Sequence, residues 1–240
     1  MPDLAVVVPT RGRPDNIRRL VDAWTETNAW EVATLVLAVD ADDPKYPAYD
    51  RLHYRREEDF ALVVHETWAP MVDKLNKTAL AVARSQGIFA DQGYSAVGFA
   101  GDDHVPVTRD WAQRYVTELR KLGTGMVHGD DGFQGASLAS EWAVTCDAVR
   151  ELGAMVPVPV EHMYCDNAMM DLYGAAGMMR YLPDVQIEHR HPLAGKASLD
   201  KQYVRVNSSE QYARDSATYE AWKAGALADQ VALLKALRAG

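Results

Sequence analysis

The stretch Gly101-Asp102-Asp103-His104 sets two adjacent carboxylates and an imidazole just after the apolar run Val97 to Ala100 and just before Pro106. A short apolar run closed by glycine and proline reads as a buried strand, which puts the acids at a strand's end. In an open α/β sheet that edge opens the ligand crevice, and paired carboxylates there suit a hard divalent cation carrying phosphate oxygens. The plain alternative is a polar turn whose aspartates cap the next helix. A second cluster, Glu188-His189-Arg190-His191-Pro192, is extended in pattern. Residues two apart in a strand share a face, so His189 and His191 can turn toward one ion, although a lone histidine is more often a core or surface group. Arg11 and Arg13 lie in the loop Pro9-Thr10-Arg11-Gly12-Arg13-Pro14. A guanidinium fork suits a diphosphate because it donates paired hydrogen bonds to phosphate oxygens; otherwise these are solvated loop charges. Gly129-Asp130-Asp131-Gly132 also follows a short apolar run and is an internal rival for the metal loop.

Strands that end together are needed to hold such groups. Leu4 to Val8 reads as a buried strand, followed by a helix that gathers Ile17, Leu20, Val21 and Trp24 on one face. Leu35 to Val39 is a second buried strand that also ends in acid, Asp40-Ala41-Asp42-Asp43. Strand, helix, strand implies a parallel unit. Tyr46 to Asp59 reads as irregular surface or a short helix, and Phe60 to Val64 as a third strand. From Pro70 a helix turns Met71, Leu75, Thr78, Ala79 and Val82 inward and leaves Asp73, Lys74, Asn76, Lys77 and Arg84 elsewhere. A helix capped by Thr108 buries Trp111, Tyr115, Leu119 and Leu122 and stops at Gly123. The second half is looser: strands at Gly125 to His128, Ser140 to Cys146 and near Val185 to His189, with helices at about Met163 to Tyr173 and Ala224 to Leu237. Leu227, Val231 and Leu234 in the last helix can pack on the domain or on a second copy, so a homodimer is one expectation.

A chain of 240 residues that is 48% hydrophobic can bury a real core, and we expect one domain. Its expected parts are a nucleotide-binding half (1–104), an acceptor and catalytic half (105–206) and a helical tail (207–240). The net charge of -9 argues against a general binder of nucleic-acid backbones. Two cysteines, Cys146 and Cys165, make no disulfide framework and have no metal-ligand spacing. No apolar window approaches a membrane span and no signal sequence precedes Leu4, so the expectation is a soluble, cytoplasmic protein.

Four motifs in order carry a resemblance: Val6-Val7-Val8-Pro9-Thr10-Arg11-Gly12-Arg13-Pro14, Val39-Asp40-Ala41-Asp42, Gly101-Asp102-Asp103-His104, and Cys165-Asp166-Asn167 opening a helix. In this order the chain resembles the glycosyltransferases of the GT-A fold, and among them the family-2 inverting enzymes. The resemblance implies an α/β fold with a mostly parallel central sheet flanked by helices. It implies that Pro9, Thr10, Arg11 and Arg13 belong to the nucleotide-binding loop and that Asp40 or Asp42 meets the base or ribose. Asp102 and Asp103 match the acidic metal motif, with Gly101 where the leading acid usually stands. Asp103 is therefore the first choice for a direct ligand and Asp102 for a ribose contact or a water-mediated ligand. A late histidine, His189 or His191, joins the ion in related enzymes. Asp166 matches the catalytic acid, taken here as the base for the acceptor hydroxyl, with helix capping as its structural alternative.

The resemblance further implies Mn2+ or Mg2+, a nucleoside-diphosphate sugar as donor with a UDP-sugar foremost, and a hydroxyl acceptor: a glycan, protein, small molecule or modified DNA base. A cation stabilises the charge that builds on a departing nucleoside diphosphate. Glu161 is the reserve base, Asp171 a surface residue, and Lys196 and Arg205 candidates for closing over the diphosphate. Trp68, Trp142 and Tyr164 can stack on a sugar face or belong to the core. Two rival functions remain: a sugar-phosphate nucleotidyltransferase, for which the first loop offers only Gly12, and a non-catalytic nucleotide- or carbohydrate-binding module.

Overall fold

The strands β1 (Leu4–Pro9), β2 (Ala33–Asp40), β3 (Phe60–His65) and β4 (Ala96–Phe99) run parallel in the order β3-β2-β1-β4. Chain order reverses direction across the sheet between β1 and β4, so the loops that leave their carboxyl ends part and open a crevice. The computed structural model describes residues 3–55, 60–190, 195–196 and 207–239. Beyond β4 come β5 (His104–Pro106), β6 (Met126–Asp130), β7 (Trp142–Thr145) and β8 (Met179–His189), extending the sheet in the order β7-β6-β8-β5. This half is mixed: β4 with β7, β7 with β6 and β8 with β5 are antiparallel, and β6 with β8 is parallel.

The unbroken apolar runs of β1 and β2 follow from helices on both faces of the sheet. Ala5, Val7, Val36 and Ala38 point to the side of α3 (Met71–Ala83), α5 (Cys146–Leu152) and α6 (Cys165–Ala176). The alternate residues Leu4, Val6, Val8, Leu35, Leu37 and Val39 meet α1 (Pro14–Glu26) and α4 (Trp111–Leu122). α2 (Tyr46–Arg55) contributes the buried Tyr49 to the second face. Two further helices, α7 (Ser209–Ala224) and α8 (Leu227–Ala239), pack through Tyr219, Trp222 and Leu234 on the first face. Among the described residues no helix is long and apolar enough to cross a membrane.

Several expectations are corrected. Thr108 does not cap α4: Asp110 does, in the left-handed region, while the Thr108 hydroxyl accepts the Gln186 N–H and fastens β8. Cys146 opens helix α5 instead of ending a strand, because β7 stops at Thr145. α7 fills a stretch to which no element was assigned, and the last helix begins at Leu227, after Gly225. Lys74 is not on the outer face of α3 but is buried at the sheet.

Candidate active site

The ends of β1, β4 and β8, the loop from β3 into α3 and the start of α6 border one cleft of about 630 Å³. Pro9, Thr10, Arg11, Arg13, Asp102, Asp103, Asp166 and His189 all line it. Sequence positions more than 150 residues apart thus meet because the β1 loop, the β4 end, the β8 end and the α6 start face one space.

The first loop is built from its own backbone needs. Gly12 takes φ +77, and its N–H donates to Asp43 Oδ2 at 2.7 Å; the Arg13 N–H donates to the Tyr49 hydroxyl at 2.8 Å. The side chains then reach acids. Arg11 Nη1 donates to Asp40 Oδ2 at 3.0 Å and to Asp42 Oδ1 at 2.6 Å. Lys74 Nζ reaches the same Asp40 oxygen at 3.0 Å. Asp40 is fully buried beneath the cleft floor, holding two cations in place, while Asp42 stands half-exposed at its edge. Neither lines the cleft wall directly.

Asp102 ties the first loop to the end of β4. Its Oδ2 accepts the Thr10 hydroxyl at 2.7 Å, and its Oδ1 accepts Arg13 Nη1 at 3.0 Å and Asn16 Nδ2 at 3.3 Å. Burial pushes the Asp102 carboxyl up despite the opposing charge of Arg13. Asp103 turns the other way, toward imidazoles: Oδ1 lies 3.3 Å from His104 Nδ1 and Oδ2 lies 3.7 Å from His189 Nε2. The rings of His104 and His189 stack with centroids 4.1 Å apart.

One ligand atom each from Asp103, His104 and His189 falls within 4.8 Å of the others, a donor set that fits a divalent transition ion. His104 Nδ1 accepts the Gly101 N–H at 3.0 Å, so its lone pair is engaged by backbone. Asp103 and His189 Nε2 are then the pair left facing each other. His191 and Arg205 lie outside the described residues. Lys196 pairs with Glu188 Oε1 at 3.1 Å and does not line the cleft. The rival acids split: Asp130 Oδ1 accepts the Gly132 N–H, while Asp131 packs behind the same histidines.

Asp166, in the first turn of α6, accepts the Asn167 N–H at 2.9 Å, and burial raises its carboxyl above the ordinary value. Around it the cleft wall is formed by Glu161, His162, Tyr164 and, from α7, Gln211, Tyr212 and Arg214. Burial pushes His162 down to about 4 despite nearby Asp215 and Asp103. Asp215 holds this wall together by accepting the N–H groups of Glu161, His162 and Met163. Trp142 is core, packed on Phe99, whereas Trp68 and Tyr164 border the cleft. Asp171 accepts the Tyr219 hydroxyl and pairs with Lys223. His104 was quoted in the acidic motif without a role of its own, and Lys74, His162 and Asp215 were not marked as site residues, because a helical lysine or a single histidine or aspartate carries no signal until its neighbours are known.

No protein-family model matches this sequence, and no curated protein matches it. Solved structures do. A mannosyltransferase from Pyrobaculum calidifontis, solved with GDP-Man and Mn2+, superposes with a TM-score of 0.62 at 15% identity, covering 98% of this chain and 74% of that one. S. aureus TarS 1-349 in complex with UDP-GlcNAc gives 0.58 at 10% identity, over 91% of this chain and 70% of that one. A Desulfovibrio desulfuricans G20 protein assigned as a nucleotide-diphospho-sugar transferase gives 0.52 at 12% identity, over 92% and 99%. Against the longer S. aureus TarS structure the match spans 37% of that chain. The chain therefore has the GT-A-type fold of the nucleotide-diphospho-sugar glycosyltransferases.

Proposed function

We propose that this protein moves a sugar from a nucleoside-diphosphate sugar to an acceptor hydroxyl, with inversion at the anomeric carbon. The observation that carries this is the meeting, in one cleft, of two arginines, the facing pair Asp103 and His189, and the carboxylate Asp166. Arg11, Arg13 and Lys74 offer positive charge where a diphosphate would lie, each already oriented by Asp40 or Asp102. Asp103 and His189 would hold a divalent cation, Mn2+ or Mg2+, with His191 a further candidate. Bound there, the ion supplies charge to the departing diphosphate.

Asp166 takes the acceptor's proton as the oxygen forms its bond to the anomeric carbon and the sugar-phosphate bond breaks. A carboxyl raised by burial is a stronger base than an exposed one, which suits that task. Tyr164 and Tyr212 border the space beside Asp166 left for the acceptor. Titration with UDP and GDP in the presence of Mn2+ tests the donor side. Binding of neither, nor of any other nucleoside diphosphate, would end this reading. Mass-spectrometric screening for nucleotide-sugar hydrolysis then identifies the donor. Consumption of a nucleoside triphosphate with release of pyrophosphate would instead favour nucleotidyl transfer.

A further inference from the structure

Asp131 follows β6 and is nearly fully buried behind the two stacked imidazoles. Its Oδ1 accepts the N–H groups of Phe133 at 2.9 Å, Gln134 at 2.6 Å and Gly135 at 3.0 Å. Its Oδ2 accepts the Ser140 hydroxyl at 2.8 Å, and Ser140 Oγ lies 3.3 Å from His104 Nε2. The hydroxyl proton is committed to Asp131, so Ser140 accepts from His104. That direction agrees with the other side of the ring, where His104 Nδ1 accepts the Gly101 N–H. The same Oδ2 stands 3.9 Å from His189 Nδ1, within electrostatic reach, while the His189 backbone N–H donates to the Asp131 carbonyl at 2.9 Å. One anion thus sits on the far side of both rings from Asp103.

We propose that Asp131 is the positioning carboxylate of the cation site: it keeps the His189 proton on Nδ1 and, through Ser140, the His104 proton on Nε2. The His189 Nε2 lone pair is thereby turned toward Asp103, and His104 serves as a packed support for that ring, not as a ligand. A carboxylate behind a ligating histidine fixes its tautomer and strengthens it as a donor. This rests on the cation reading given under Proposed function. It also gives the Asp130-Asp131 loop a role that supports the Asp102-Asp103 turn instead of competing with it.

Two measurements on the full chain test it. Multiple-bond 15N–1H NMR of 15N-histidine-labelled protein, at about pH 8 where ordinary imidazoles are neutral, reads the tautomers without any substitution. His189→Ala and His104→Ala assign the signals. Protonated Nδ1 in His189 with protonated Nε2 in His104 is expected; protonated Nε2 in His189 overturns the proposal. Second, Mn2+ alone is titrated while free ion is followed by electron paramagnetic resonance. Asp131→Asn keeps an oxygen for the loop N–H groups and is expected to weaken binding by about 10- to 100-fold, with circular dichroism unchanged. A folded Asp131→Asn protein that binds within about twofold of the parent overturns the proposal. If that variant does not fold, the tautomers of the unaltered chain still decide. A parent that binds no Mn2+, or whose binding is unchanged by His189→Ala, overturns the cation site itself and this role with it.

Discussion

At Gly101 an added Cβ would stand 2.6 Å from Asp103 Oδ1 and 2.7 Å from His104 Nδ1, closer than any real contact permits. Where the resemblance expects a leading acid, this turn folds His104 back onto the Gly101 N–H, and a side chain there would have to displace Asp103 or His104. Gly101→Asp should therefore not restore a stronger metal motif. It should weaken Mn2+ binding about tenfold or more by displacing Asp103, and tighter binding by titration would refute the packing argument. Asp166 gives a second prediction. Asp166→Asn should lower kcat by about 10²- to 10⁴-fold while leaving nucleoside-diphosphate affinity in place. Because burial raises its carboxyl above 3.8 in the free protein, the base is lost as pH falls, and the acid limb of the kcat/KM profile should lie above that value. A limb at or below it would point to another base. Asp103 and His189 were read from the apolar runs that precede them and Asp166 from the family resemblance, and the three line one cleft. Lys74 was not legible: solvated lysines on helices are the rule, and only the buried Asp40 opposite makes this one internal.

Among the elements, α7 determines how the wall beside Asp166 is held. The Asp215 carboxylate accepts the Glu161, His162 and Met163 N–H groups at 3.1, 3.0 and 2.8 Å and Gln211 Nε2 at 2.9 Å. These are donors of the chain leading into α6, where Tyr164 is bent to φ +64. Removing the acceptor leaves three part-buried N–H groups unpaired, at up to about 1–3 kcal/mol each, so Asp215→Ala should cost on the order of 3 kcal/mol. Asp215→Asn, with one oxygen kept, should fall between. Urea unfolding checks both, and a variant as stable as the parent would show that the wall does not depend on α7. α7 was invisible in the sequence because its buried residues are Asp215, Tyr219 and Trp222, with no aliphatic stripe to mark a helix. β1 and β2 were plain for the opposite reason: helices on both faces leave them continuously apolar. β8 was only half seen. Pro183 interrupts its pattern, and the pairing with β6 jumps from Gly129–Leu182 to Asp130–Gln186 across that bulge.

Among the described residues, four histidines are held in a form that acid should attack. Burial lowers His65, His128, His162 and His189 below the ordinary 6.5, His162 to about 4. An unfolded chain takes up protons at 6.5 while the folded one does not, so stability falls as pH drops from about 6.5 toward the folded values. Glu141 works against this. Burial raises it to about 7 even though the Tyr115 hydroxyl and Gly129 N–H donate to it, so it favours the folded state as pH falls from 7 to 4.5. Asp102 and Asp166, also raised by burial, act in the same sense as Glu141 but start from 3.8, so between pH 7.5 and pH 5 the four imidazoles outweigh these carboxyls and the melting temperature should be lower at pH 5. His128 isolates the effect. It is buried against Tyr181, neither ring nitrogen meets a well-formed hydrogen bond, and the Gly129 backbone and Asp131 only partly offset its burial. An unsatisfied polar group of this kind costs about 1–3 kcal/mol even when neutral. His128→Leu should therefore raise the melting temperature at pH 7.5 and raise it further at pH 5, where the parent must also resist protonation. Equal gains at both pH values would mean that His128 does not resist protonation in the folded chain, and a loss at pH 7.5 would mean that its nitrogens are satisfied after all.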